Sequence, residues 1–170
     1  MNVVTTSARD GNKAPPAVFL QDFVDVERPA DQVGAQLATG SAWLAPLAGA
    51  AGDDAALLVR VGPQLLGDIL ARTVVVRLGL PSRRNGAVLV PIRWEDAQHP
   101  ALFPVLDGDL EVASLDDNRC RIVLSACYRP PLRAVGRIID EAVLHRVAES
   151  TVRAFLRRAA SALVDGISPA

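Results

Sequence analysis

The chain has two histidines, His99 and His145, among its 170 residues, so any metal centre or general base must involve one of them or do without histidine. His99 closes the run Trp94-Glu95-Asp96-Ala97-Gln98-His99, which holds carboxylate and imidazole groups of the kind a divalent metal accepts. Its spacing matches no recognised metal site, and a polar loop explains the composition as well. His145 has Glu141 and Glu149 four residues before and after it, the spacing of paired charges on a solvated helix face. Asp140 follows Ile138-Ile139. A carboxylate buried in an apolar cavity has a raised pKa and can move a proton, whereas one at the start of a helix is simply favoured by the dipole. Ser125 and Cys127 are nucleophiles by type, but no histidine lies near them in sequence and no Gly-x-Ser-x-Gly elbow occurs. The residues therefore assign no catalytic group, no metal site and no cofactor.

Three aromatic residues with polar handles remain. Trp43 and Trp94 are the only tryptophans, and Tyr128 is the only tyrosine. Each can stack on an apolar ligand while offering an N–H or O–H to it, and each can equally serve as packing.

These residues must be held by something, and the chain's last quarter is its clearest element. From Arg133 onward apolar or small residues recur at Val135, Ile138, Ile139, Ala142, Val143, Val147, Thr151, Val152, Phe155, Leu156, Ala159 and Leu163. That spacing predicts one long amphipathic helix, roughly 45 Å from end to end. Arg146, Arg153, Arg157 and Arg158 form its outer stripe, offset by Asp140, Glu141 and Glu149; we read this as a solvated face.

Before the helix comes strand territory. Ala17–Val26 alternates, with Phe19 and Phe23 on one face and mostly aliphatic residues on the other. Pro29 opens a short helix to about Ala38. A second short helix runs through Ser41–Leu44 with Ser41 as its cap, and Gly49–Asp54 reads as a loop. Strands are predicted over 55–61, 71–79, 87–94, about 105–115 and 119–128. Turns fall at Gly62-Pro63, at Pro81–Gly86 with its Asn-Gly signal, and at Asp116–Asn118; Glu95–Pro100 reads as a loop. Such short connections permit only antiparallel pairing. The expected fold is α+β, one curved antiparallel sheet wrapped on the long helix. Residues 1–16 form a flexible polar tail, and 17–165 a single domain.

Composition sets the outer bounds. Half the residues are hydrophobic and 22% are charged, which fits a globular chain. A formal net charge of −1 argues against a nucleic-acid partner. Lys13 is the only lysine, a bias of base composition from which no function follows. Cys120 and Cys127 are seven apart, hence on opposite faces of one strand and unable to pair there. Free thiols, a polar start without a signal-peptide core and no stretch of eighteen apolar residues lead us to expect a cytoplasmic protein with no stable membrane insertion.

The element order, the entry Glu27-Arg28-Pro29-Ala30-Asp31-Gln32-Val33 into the first helix, Trp43 in the second, and the exit Tyr128-Arg129-Pro130-Pro131 through Gly136 into the long helix together resemble the START-like, birch-pollen-allergen-like helix-grip superfamily. Within it, the chain looks most like the bacterial polyketide cyclase/dehydrase and lipid-transport proteins. The resemblance spans about residues 17–165. It implies a cavity between sheet and long helix that takes an apolar or amphipathic small molecule, and it carries no superfamily-wide catalytic motif.

If that cavity exists, its wall comes from the inward residues of strands and helix. The candidates are Trp43, Val90, Ile92, Trp94, Leu110, Leu124, Tyr128, Ile139 and Val143, and the alternative is that they simply fill a core. The leading expectation is binding of a lipid or polyketide-like compound without catalysis. The second is a cyclase or dehydratase using Tyr128 or Asp140. The third is an interaction module without a cavity, able to form a homodimer through the outer sheet face or residues such as Leu144.

Overall fold

Alternation decides the first strand. In Val18–Val26 (β1) the residues Val18, Leu20, Val24 and Val26 are buried or half-buried, while Phe19 and Phe23 are 61% and 54% exposed. Period-two patterning of this sort gives a strand one wet and one dry face.

The computed structural model describes residues 17–50, 57–61, 72–97, 105–129 and 141–167. The expected tail, 1–16, lies outside them, as do the Gly62-Pro63 turn, the start of the long helix at 133–140, His99 and Ile139. After β1 come β2 (Ala48–Ala50), β3 (Leu57–Val61), β4 (Arg72–Leu78), β5 (Ser82–Arg84), β6 (Ala87–Asp96), β7 (Val105–Ser114) and β8 (Cys120–Arg129). They form one antiparallel sheet in the order β1-β8-β7-β6-β4-β3-β2, with β5 paired to β6 beside that path. Helix α1 is Ala30–Leu37, a 3₁₀ helix spans Ala42–Leu47, and α2 runs from Glu141 to Asp165, about 38 Å.

Three loop expectations are corrected. Gly49 and Ala50 belong to β2, which pairs with β3. Within the Pro81–Gly86 turn, Ser82–Arg84 is a strand, and only Asn85-Gly86 turns the chain, at φ 50° and 83°. Positive φ at both positions is the two-residue hairpin that Asn-Gly favours. Glu95 and Asp96 continue β6, opposite Val75 and Val74. In each case pairing with a neighbouring strand extended regular structure into residues that carry no alternation of their own.

The second short helix is 3₁₀, and Ser41 caps it through its carbonyl, accepting from the Leu44 N–H at 2.9 Å, with no side-chain capping bond. At the β7–β8 turn the Asp116 carboxylate accepts from the Asn118 N–H at 3.0 Å and from Arg119 at 2.7 Å.

The strand register sorts the inner face into rows. One row is Val18, Tyr128, Leu106, Trp94 and Val76; the next is Leu20, Ala126, Gly108, Ile92 and Leu78. Then come Asp22, Leu124, Leu110 and Val90, followed by Val24, Ile122, Val112 and Val88. Most of these side chains join one core cluster with Val33 and Leu37 of α1 and with Val152, Phe155, Leu156, Ala159 and Leu163 of α2. Removing such side chains from water supplies about 1.5–3 kcal/mol each. Helix α1 lies over β6 and β7 and α2 along β1, so the two helices cover one face.

Candidate functional site

The rows just described place six of the nine wall candidates, and the 3₁₀ helix places a seventh, Trp43. Trp43, Val90, Ile92, Trp94, Leu110, Leu124 and Tyr128 are all buried, none more than 5% exposed, and all belong to the one core cluster. Val143 stands in the first turn of α2, as His145 does slightly later, but the side chains of both lie outside the described residues; so does Ile139 altogether.

The wall is not uniform in bulk. Between a row of Tyr128, Leu106 and Trp94 and a row of Leu124, Leu110 and Val90, the neighbouring positions Ala126 and Gly108 together carry one methyl group. Glycine is imposed there by strand approach. A Cβ on residue 108 would meet the Ser125 carbonyl oxygen and stand 2.6 Å from the Ala126 Cβ. The consequence for the inner face is little side-chain bulk at its middle. One row up, Trp94 meets Phe155 of α2 edge to face, centroids 5.0 Å apart and planes at 76°. There sheet and helix touch directly.

Polar groups on this face are few. Asp22 interrupts the apolar alternation of β1, and Arg153 of α2 donates to it at 2.9 Å, tying the helix to the edge strand. Asp96, 6% exposed, shares the inner face with Trp94 one residue pair further along β6. The sequence reading missed it by placing it in a loop; the signal it overlooked was the even offset of Asp96 from Ile92 and Trp94. Thr151 of α2 is also buried. Among the described residues, Trp43 Nε1 is a buried side-chain donor without a hydrogen-bond partner.

Of the other candidate groups, His99 and Asp140 lie outside the described residues. No group of three His, Cys, Asp or Glu side chains able to hold a metal exists among the described residues. Ser125 faces outward and takes a hydrogen bond from Gln21 at 2.8 Å. Cys120 is buried and Cys127 exposed, opposite faces as the seven-residue offset requires, and burial pushes the Cys120 thiol up from its ordinary pKa. On the outer face Arg121 stacks 4.1 Å above the Phe23 ring and donates to Asp25 at 2.6 and 2.9 Å. That pairing holds the Asp25 carboxyl below its ordinary range.

A cleft of about 170 Å³ opens elsewhere, between β1 and α2, lined by Phe19, Leu20, Gln21, Asp22, Glu149, Val152 and Arg153. It is smaller than the roughly 300–1,000 Å³ typical of small-ligand sites, and of the rows above it touches only Leu20 and Asp22. We regard it as the gap between an edge strand and the helix that leans on it.

No family model and no curated protein matches the sequence. Solved structures do match in shape. The Zhui aromatase/cyclase from a Streptomyces species is 18% identical, with a TM-score of 0.58 over 90% of this chain and 97% of that one. A norcoclaurine synthase point mutant from Thalictrum flavum, in complex with a transition-state analogue, is 11% identical, with a TM-score of 0.55 over 92% of this chain and 100% of its own. A START superfamily protein from Mycobacterium smegmatis is 11% identical, with a TM-score of 0.50 over 88% and 96%. Eight antiparallel strands over a long C-terminal helix, with two short helices after the first strand, agree with these neighbours: the described residues of this chain have the helix-grip fold.

Proposed function

We infer that the protein binds an apolar or amphipathic small molecule, of lipid or polyketide-like character, between the inner sheet face and α2, and does so without transforming it. One observation carries the reading. The inner face is apolar from Val88 to Trp94 and from Ile122 to Ala126, and at its middle Ala126 and Gly108 carry less side-chain bulk than the residues of the neighbouring rows. Apolar walls with a few placed polar groups are what small-ligand sites have in common. The neighbouring structures called aromatase/cyclase and norcoclaurine synthase support a fold able to hold such compounds.

Catalysis is the second reading, and Asp96 favours it: a carboxylate buried beside Trp94 is the type of group that serves as an acid or base. Against it, Tyr128 on β8 and Asp96 on β6 are separated by β7. Two strand spacings put about 10 Å between them, too far to share one proton.

Native mass spectrometry of the protein purified from its own host tests the binding reading. The expected result is a mass excess that denaturation releases as an apolar compound; a protein carrying nothing weighs against it. The Ala126→Leu variant locates the site. If the ligand lies against Ala126, the larger side chain removes the co-purifying compound and leaves the urea midpoint nearly unchanged. If Ala126 belongs to a filled core, the same change costs about 1–3 kcal/mol by overpacking.

A further inference from the structure

Trp43 has a polar atom that the fold does not use. Its ring is 2% exposed in the core cluster, yet Nε1–H has no hydrogen-bond partner among the described residues. Buried donors are almost always paired, because leaving one unpaired forfeits its hydration with no return. Packing alone does not explain an indole here. The neighbouring buried positions of the same 3₁₀ helix, Leu44 and Leu47, are filled by plain aliphatic side chains.

The 3₁₀ helix touches α2 and β3, on the side of the sheet remote from β1. Trp43 therefore stands at the end of the inner face opposite the Asp22–Arg153 tie. Indole nitrogen can only donate. Whatever satisfies it must bring a lone pair into an otherwise apolar shell, in which the buried polar side chains described are Asp96 and Thr151.

We propose that Trp43 Nε1–H is the specificity-determining donor of the ligand site, and that the ligand is an apolar molecule bearing a carbonyl oxygen, not a hydrocarbon. This rests on the binding reading above. The carbonyl end lies at the 3₁₀ helix and the apolar body extends over the inner face toward Ala126 and Gly108. A site built around a donor rejects analogues that lack the acceptor, because the donor is then left buried and unpaired.

The test uses two probes of nearly equal shape, 2-acetylnaphthalene and 2-isopropenylnaphthalene, titrated into ¹⁵N-labelled protein. The chain has two tryptophans, so the indole region holds two signals, assigned with Trp94→Phe. The ketone is expected to move the Trp43 N–H signal downfield and to bind about tenfold more tightly than the alkene, the size of one hydrogen bond to a buried donor. In Trp43→Phe that preference disappears while alkene affinity is kept. Binding of both probes with equal affinity, or a ketone preference that survives in Trp43→Phe, overturns the assignment of Trp43 and leaves the binding reading standing. Failure of both probes to bind overturns the two together. Should Trp43→Phe not fold, the shift in the native protein decides alone: a downfield shift with ketone only supports the proposal, and identical shifts with both probes refute it.

Discussion

Cys120 and Cys127 share a strand but not an environment. Cys120 is fully buried with its thiol pKa raised, and Cys127 is exposed on the outer face. Since the thiolate is the reactive form, iodoacetamide is expected to label the native protein once, at Cys127, and the denatured protein twice; peptide mass mapping reads the outcome. Asp25 gives a second prediction at this scale. The hydrogen bond from Arg121 lowers its pKa in the folded state. Its contribution is therefore complete above the unfolded carboxylate value of about 3.9 and is lost as pH falls through the lower folded value. Urea midpoints followed downward from about pH 5 should decline less steeply below pH 4 in Arg121→Gln than in the native protein. The inward residues could be read from alternation, and Leu110, Leu124, Val90 and Trp94 are buried as that pattern requires. Asp96 could not be read as easily, since the stretch Glu95-Asp96-Ala97-Gln98-His99-Pro100 is polar and ends in proline, which resembles a loop, and pairing with Val74 is what carries the strand to it.

At the scale of elements, α1 is seated by a glycine. A Cβ on Gly34 would lie 2.8 Å from Val88 Cγ2, so the helix approaches β6 as closely as it does because nothing projects there. In an exposed helix, Gly→Ala stabilises by about 1 kcal/mol. Here Gly34→Ala should instead destabilise, by about 1–3 kcal/mol. Adding Val88→Ala should recover part of that loss, and a double-mutant cycle from urea unfolding checks the sign. Element order and type were legible because the long strands alternate and the last helix keeps its 3.6-residue stripe. The three-residue strands β2 and β5 were not: Ala48–Ala50 and Ser82–Arg84 have no pattern, and they are strands only because β3 and β6 lie beside them. The single-residue shift at α1, which starts at Ala30 with Pro29 as its cap, is a boundary that local sequence does not resolve.

For the whole molecule, the governing fact is that one face of an eight-stranded sheet depends on two helices for cover. Phe155, Leu156, Ala159 and Leu163 of α2 close over it, and Asp22 on β1 holds Arg153 at the edge. A chain ended at Arg129 should therefore not fold to a native-like state. It should bind the dye ANS strongly and sediment as aggregates, where the full chain stays dye-free. A truncated chain that is monomeric and dye-free would show that the sheet face does not need α2. Whether a ligand is held was not legible from residue types, since apolar walls look alike whether they enclose a core or a guest.

The position of α2 in the chain has a consequence for how the protein is made. Every strand leaves the ribosome before the helix that shields them. β1 must also wait for its neighbour β8, since Gln21 and Ser125 are 104 residues apart in sequence. At about 5–20 residues per second, translating from Arg129 to Asp165 takes roughly two to seven seconds. For that interval the inner face of a nascent sheet stands open to solvent, accessible to chaperones and to other nascent chains.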